Sequence, residues 1–529
     1  MHHVLVLTLF AVLTATNIIA SDVGISVTPI AVEGFAGRQS FAVGRHGSKV
    51  VLIGGRMDGL HRRQPPLAFS ADGEPQSIVV LDLEQKKSWS ASVAGLSGDV
   101  LDQWTSTNAC FVQVDSLLYI IGGYGIASSG AGHRTHPVWS SVNVEDLIDA
   151  VVAGRPYAQL IAHGTGDAFA ITGGRAGFFG DTIITVGGHR FDGRYNPMGG
   201  SSFTQAYTNA VRRFIVTGGR QLSFLNESVD PLHLHRRDFN VVPQMFPDGT
   251  HGYTAFSGVF RVGVDLPFLD AVSIKRDTHA VVPDFEQYLA HYHCGTVPVF
   301  DMRDSSMHTF FLGGIAQYRA NGAGALERND SVPFVNTISR VSRTRNGVMR
   351  EYRQNETMPG LLGTGAEVVL REQPSLTRNE ILTVNASDLT NNAVIGWMIG
   401  GIRSTAPNIF WVNDGTQSEA STFVAELRLT STATSVFIAP SDSQRNVPPG
   451  ITTRIDQHQL TVIVSDISDE VEIGLFDLNG RYVDLGCTTS VGGSQATMTC
   501  SIADLPSGVY IAVVIDGERT ASTLLSLQR

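Results

Sequence analysis

Leu118-Tyr119-Ile120-Ile121-Gly122-Gly123 runs four apolar residues into a glycine pair, and the same figure returns along most of the chain. It stands earlier as Val51-Leu52-Ile53-Gly54-Gly55. Later copies are Ile183-Ile184-Thr185-Val186-Gly187-Gly188, Phe310-Phe311-Leu312-Gly313-Gly314 and Trp397-Met398-Ile399-Gly400-Gly401. A weaker sixth copy, Tyr253-Thr254-Ala255-Phe256-Ser257-Gly258, falls in the longest gap. Successive pairs lie 68, 65, 70, 56 and 87 residues apart, intervals that suit one four-stranded sheet each. Self-similarity of this kind signals a repeat architecture. Glycine at the end of a short apolar strand supplies positive φ and close backbone approach. The uneven intervals imply long loops on at least one face.

Two further pairs, Gly173-Gly174 and Gly218-Gly219, break the count. Gly173 comes a hairpin's length before Gly187, so Phe169-Ala170-Ile171-Thr172 reads as the strand preceding Ile183–Val186. Phe214-Ile215-Val216-Thr217 reads as a third strand of the same unit. The expectation is therefore six units, with seven as the alternative.

The composition agrees with an all-β protein. Of 529 residues only 16% are charged, 43% are hydrophobic and 55 are glycine, which suits many short strands joined by tight turns. The net charge of −11 argues against a nucleic-acid partner, because phosphate neutralisation needs clustered Lys and Arg. At the N-terminus an apolar run from Val4 to Ala15 and a small-residue site near Ala20 read as a signal peptide over 1–20. No stretch is long and apolar enough to span a bilayer.

The apolar-Gly-Gly figures, with Ile78-Val79-Val80-Leu81-Asp82 followed by Trp89 in the first unit, resemble the kelch family. That resemblance implies a β-propeller over 25–430, each unit forming one blade. A breaker-rich stretch at 431–450 reads as a linker. Beyond it, strand-like runs over 451–529 make a small β-sandwich. Leu475-Phe476-Asp477-Leu478-Asn479-Gly480-Arg481 and Leu505-Pro506-Ser507-Gly508-Val509-Tyr510-Ile511-Ala512-Val513 resemble the type A C-terminal sorting domain of type IX secretion, known from Bacteroidetes. That resemblance implies export through the periplasm and across the outer membrane, with the secretion machinery as a partner and a secreted or cell-surface location. A carbohydrate-binding or immunoglobulin-like sandwich is the alternative reading of the same strands. Of the four cysteines, Cys487 and Cys500 flank a turn and are placed to pair across a hairpin; Cys110 and Cys294 read as buried and unpaired.

Chemistry is less legible. Standard catalytic, phosphate-binding and calcium-binding motifs are absent. On a strand His291 and His293 share one face and address the axis, but no third ligand can be named, so no metal and no cofactor is assigned. Arg236 and Asp238, also on one face, grip an anion or pair structurally. Arg56, Arg175, His189, Arg190 and Arg220 follow glycine pairs, and Arg403 follows one residue later; they either ring one end of the axis or satisfy loop carbonyls. Trp411 offers an aromatic surface for a sugar. The candidate ligand-binding residues are Arg190, Arg236, His291, His293 and Trp411. The reading is an exported propeller that binds a protein or glycan; the alternative is a sugar-active enzyme of epimerase or oxidase type with its site in the channel.

Overall fold

The computed structural model describes residues 23–527, apart from 64–67, 198–201, 321–324, 386–387, 389–391, 431–434, 439–449, 457, 468–470, 479–480, 493 and 517–518. The expected signal peptide lies outside the described residues. So does most of the expected linker, and so do Asn479 and Gly480 of the C-terminal motif.

Strands dominate, and six sheets share one plan, an antiparallel unit of four strands; in sheet five that unit is extended by further strands, including Leu382–Val384 parallel to Gly295–Asp301. Sheet one is Ala42–His46, Lys49–Ile53, Ser77–Asp82 and Lys87–Ser92. Sheet two is Cys110–Val114, Leu117–Ile121, Val138–Asn143 and Ala162–Thr165. Sheet three is Arg175–Phe179, Thr182–Val186, Ala210–Thr217 and Gln221–Val229. Sheet four is Asn240–Met245, His251–Phe256, Ala271–Ile274 and His279–Val281. Sheet five is Gly295–Asp301, Ser306–Ile315, Phe334–Arg343 and Met349–Thr357. Sheet six is Ala366–Leu370, Val394–Gly400 and Val424–Thr430, completed from the other end of the chain by Gly24–Ile30.

The apolar runs are continuous because each second strand is buried on both faces. In sheet one, Val50 and Leu52 pack with Trp397, Ile399 and Val424 of sheet six. Val51 and Ile53, facing the other way, pack with Leu118, Ile120 and Val142 of sheet two. A sheet sandwiched between two neighbours leaves no polar side for an alternating pattern.

The glycine pairs join neighbouring sheets. The second residue of each donates its N–H to a carbonyl just before the first strand of the next sheet. The bonds are Gly55 to Ser106, Gly123 to Ile171, Gly188 to Arg236, Gly258 to His291, Gly314 to Leu362 and Gly401 to Arg38, all 2.8–3.0 Å. At Gly122 φ is +69°, and a Cβ would stand 1.9 Å from the Ile171 oxygen, so only glycine fits. Ser257, at φ +52°, holds the matching conformation in sheet four, which is why that copy of the figure looks weak in sequence.

A second set of six hydrogen bonds closes on itself. Asn108 N donates to Ser40 O, Gly173 to Asn108, Asp238 to Gly173, His293 to Asp238, Gly365 to His293, and Ser40 back to Gly365, at 2.7–3.1 Å. Each sheet contributes one residue to this ring, immediately before its first strand. Sheets three and six therefore face each other across its centre.

The long segments that follow the glycine pairs build extra structure at one end. Hairpins Tyr124–Ala127/Gly132–Thr135 and His189–Gly193/Phe203–Tyr207 join into a flanking four-stranded sheet. Phe169–Thr172 is not the strand it resembles: Asp167–Phe169 forms a 3-10 turn, and the strand begins at Arg175. Thr172 instead pairs with His189 as an isolated bridge. Two short α-helices, Gly98–Thr105 and Val144–Val152, pack beside sheets one and two, the latter capped by Asn143 Oδ1 accepting from the Asp146 N–H.

The C-terminal strands form two sheets. Gly450–Asp456, Gln459–Ser465, Gln495–Ser501 and Thr488–Gly492 make one; Val471–Asp477, Gly508–Asp516 and Arg519–Leu527 make the other. Leu460, Val462, Val464, Leu475, Met498 and Ala512 fill the core between them. The register sets Thr488 opposite Thr499, so Cys487 meets Cys500 and the two are disulfide-bonded. Cys110 and Cys294 are free and buried. Ser435–Phe437, expected to be linker, instead pairs with Tyr352–Gln354 and extends sheet five. No helix among the described residues is long and apolar enough to cross a membrane.

Candidate functional site at one end of the ring

The geometry of the ring decides which side chains reach its centre. Two residues before each ring position, or three in sheet six, sits a carbonyl that accepts from a glycine pair, and in sheets four and five the side chain there is buried. Arg236 and His291 both occupy this place. Arg236 is fully buried, donating to His233 O at 2.6 Å, Ser257 O at 2.7 Å and Asp270 Oδ1 at 2.8 Å. His291 Nε2 lies 2.9 Å from Gln287 O, and its Nδ1 accepts from the Gln317 N–H at 2.9 Å. Both side chains are committed to holding loops.

His291 and His293 do not share a strand face, because residues 291–293 are not in a strand. His293 is a ring residue, and its Nε2 lies 3.1 Å from Glu367 Oε1. Across the centre Arg175 meets the same carboxylate with both nitrogens, Nη1–Oε1 at 2.9 Å and Nη2–Oε2 at 3.1 Å. Burial opposes charge on Glu367, but Arg175 and His293 outweigh it and hold its carboxyl down at about 2. The pair lines an axial cavity of about 10 Å³, room for about one water. Cys294 points elsewhere, within 3.7 Å of Asn240 Nδ2, and burial pushes its thiol up to about 12. His291, His293 and Cys294 thus diverge. Among the described residues no three His, Cys, Asp or Glu side chains are grouped as a metal site requires.

The residue between the buried position and the ring position faces the end where the hairpins gather. In sheet four it is Arg237, and in sheet five Tyr292. Arg237 forms a bridge with Val259, as Gln39 does with Arg56 and Thr172 with His189, so each such residue lies against the chain leaving a glycine pair. Arg237 Nε donates to the Tyr207 hydroxyl at 3.2 Å and Nη1 to Asp238 Oδ2; Nη2 has no hydrogen-bond partner among the described residues. The guanidinium also lies 5.2 Å from the Phe260 ring. Burial alone would lower its pKa; Tyr207, Asp238, Tyr292 and Tyr195 outweigh that, and the net is upward.

Around this cation stand imidazoles kept neutral. His235 stacks on Tyr207 with ring centroids 3.8 Å apart, and burial with Arg237 and Arg236 pushes it down to about 3. His61, edge-on to Tyr195 at 4.8 Å, is lowered to about 4 by burial and Arg237. Burial and Arg237 also place His189 well below its usual value. Tyr195 and Tyr292 are raised, chiefly by burial. Phe410 lies edge-on to His61 at 5.7 Å, and beside it Trp411 is 60% exposed, with Arg63 stacked 3.6 Å from its ring centre.

A chain of contacts ties this cluster to the C-terminal sheets. Asn209 Nδ2 donates to Leu478 O at 2.9 Å, and Asn209 Oδ1 lies 2.9 Å from His235 Nδ1. Val262 packs with Ile511 and Val513 alongside.

The arginines after glycine pairs do not form one ring. Arg56 pairs with Asp58 at 2.6 Å, Arg220 donates to Leu160 O and Ser141 O, and Arg403 lies 3.7 Å from Glu419. Arg190 is on the flanking sheet, 2.8 Å from Asp192. Sequence reading missed Arg237 and Tyr207. The signal for Arg237 was register: it stands one residue before the ring residue Asp238.

The chain is thus an all-β protein in which six of its sheets are hydrogen-bonded around a common centre, with a cationic, aromatic cluster at one end. No protein-family model and no curated protein matches it. Among solved structures it is similar to one described as the structure of YjhT, at TM-score 0.40 and 12% identity, over 76% of this chain and 97% of that one. It is also similar to a fungal alcohol oxidase of the AA5 family in complex with copper, at TM-score 0.36 and 9% identity, over 96% of this chain and 100% of that one.

Proposed function

We propose that the six sheets are blades of a kelch-like β-propeller whose hairpin-bearing end binds a carboxylated sugar. The observation that carries this reading is Arg237. Its guanidinium is fixed by Tyr207 and Asp238, Nη2 has no hydrogen-bond partner among the described residues, and tyrosine and histidine rings wall it. A planar fork of donors suits a carboxylate, and partly buried aromatic faces with hydroxyl and imidazole edges suit a sugar ring. The C-terminal sandwich is the sorting domain of an exported protein, and its dock beside His235 leaves the sugar site at the propeller's open end.

Calorimetric titration of the full chain with galacturonate and glucuronate, beside galactose and glucose, tests the reading. The uronates are expected to bind at least about 10-fold tighter than the neutral sugars, and Arg237→Lys to remove that preference. Equal binding of neutral sugars overturns it.

One arrangement favours a catalytic version of the same site. The Tyr207 hydroxyl accepts from Arg237 Nε while its ring stacks on His235, and a phenol so placed suits proton transfer to and from a sugar hydroxyl, as epimerase-type chemistry needs. Exchange between the two anomers of galacturonate, followed by NMR, is expected to quicken with the protein and to slow with Tyr207→Phe while affinity holds. Unchanged exchange rates leave the site as a binding site.

A further inference from the structure

The strand His189–Gly193 serves two sites at once. Alternation turns His189 and Phe191 toward the aromatic cluster, where His189 lies 5.7 Å from Tyr207 by ring centres and Phe191 packs on Tyr195. Arg190 and Asp192 face the other way. They line a cavity of about 460 Å³ with Arg194, His133 and Arg134. The two hairpins of the flanking sheet pair through Asp192 and Arg134, and both residues line the cavity.

Three guanidiniums face this space against one lining carboxylate, Asp192. Arg190 pairs with Asp192 at 2.8 Å and reaches Asp167 at 3.6 Å. Arg194 Nε is spent on Ala68 O at 2.7 Å, which fixes the side chain in place. The Arg134 guanidinium has no ion pair or hydrogen bond among the described residues. His133 lies 2.7 Å from Phe69 O, and burial lowers its pKa. Cationic excess in a cavity this large is unusual in a chain with net charge −11.

We propose that this cavity is a second oxyanion site, taking a carboxylate or sulfate group further along an acidic oligosaccharide whose end sits at Arg237. The inference rests on the sugar-binding reading of the Arg237 site. From His189 to Arg194 the extended chain covers roughly 17 Å, so a chain of a few sugar residues reaches both places. Arg134, with its guanidinium uncommitted, makes the leading contact, and Arg190 exchanges Asp192 for the ligand.

The test is titration of the full chain with galacturonate and with tetragalacturonate, in the native protein, the double variant Arg134→Gln/Arg190→Gln, and Arg237→Lys. The tetramer is expected to bind at least about 10-fold tighter than the monomer, as two linked contacts do. The double variant is expected to bring the tetramer down to the monomer's affinity and leave the monomer unchanged, whereas Arg237→Lys weakens both. A tetramer that gains nothing over the monomer, or a gain that survives the double variant, overturns the second site while monomer binding still upholds the first. Monomer binding untouched by Arg237→Lys overturns the first site instead. Inorganic sulfate is the third probe: displacement of the tetramer down to, and not below, the monomer's affinity is the expected result, and competition with the monomer as well would overturn a separate site.

Discussion

Arg175 of sheet three and Glu367 of sheet six meet face to face across the centre of the ring, two parallel hydrogen bonds at 2.9 and 3.1 Å. The pair holds opposite sides of a six-membered ring together at the point where no backbone bond can. Glu367→Gln leaves Arg175 without its counter-charge, and a loss of about 3–5 kcal/mol is expected in chemical denaturation. Arg175→Met/Glu367→Gln is expected to lose less than the sum of the single changes.

The same carboxylate sets an acid limit. Its folded value of about 2 lies below the ordinary 4.5, so its contribution is complete above about pH 4.5 and is lost as pH falls through 2. Stability measured from pH 5 downward is expected to fall more steeply in the native chain than in Glu367→Gln.

Glu351 acts in the opposite direction. It is buried, accepts the Tyr288 and Leu289 N–H groups at 2.6 and 3.3 Å, and burial pushes it up to about 7. The folded chain holds this proton more tightly than the unfolded one, so stability falls as pH rises from about 4.5 to 7, by roughly 3 kcal/mol. Glu351→Gln is expected to flatten that slope in thermal unfolding followed across the same range.

Asn209 is the joint between the C-terminal sheets and the cluster around Arg237 proposed to bind a sugar. Asn209→Ala frees His235 Nδ1 and Leu478 O together. Galacturonate affinity is expected to drop several-fold with only a small change in the unfolding midpoint, since each of the two hydrogen bonds lost contributes about 1 kcal/mol. An unchanged affinity would show that the stack of His235 on Tyr207 holds by itself.

Reduction of Cys487–Cys500 opens a loop of sequence separation 13. A loss of about 3 kcal/mol is expected in the unfolding of the C-terminal sheets, and none in the six-sheet ring.

The all-β class, the six units and the disulfide were legible because each rests on a local cause. A glycine pair announces a backbone that must pass close to a neighbour, and even Ser257-Gly258 carried enough of it to be found. The site was legible only in part. His293 is on the axis as expected, but its neighbour His291, two residues away, is trapped between sheets, because 291–293 lies outside a strand and the two-residue alternation does not apply. Arg236 was chosen over Arg237 for the same reason. Tyr207 carries no signature at all, since its place depends on a hairpin folding back over Arg237. Pairings such as Arg175 with Glu367, 192 positions apart, are set by which sheets face each other, and no local pattern records that.

Sheet six takes its outermost strand, Gly24–Ile30, from the far end of the chain, in register with Val424–Thr430. The order of synthesis follows from this. Five sheets can assemble as the polypeptide lengthens, but the last waits with an exposed edge until residue 430 has emerged and meets a segment made first. Until then the chain carries an unpaired strand at each terminus of the array, the kind of edge that invites association between molecules. A truncated or paused product therefore keeps both edges open, and pairing Gly24–Ile30 with Val424–Thr430 removes them together.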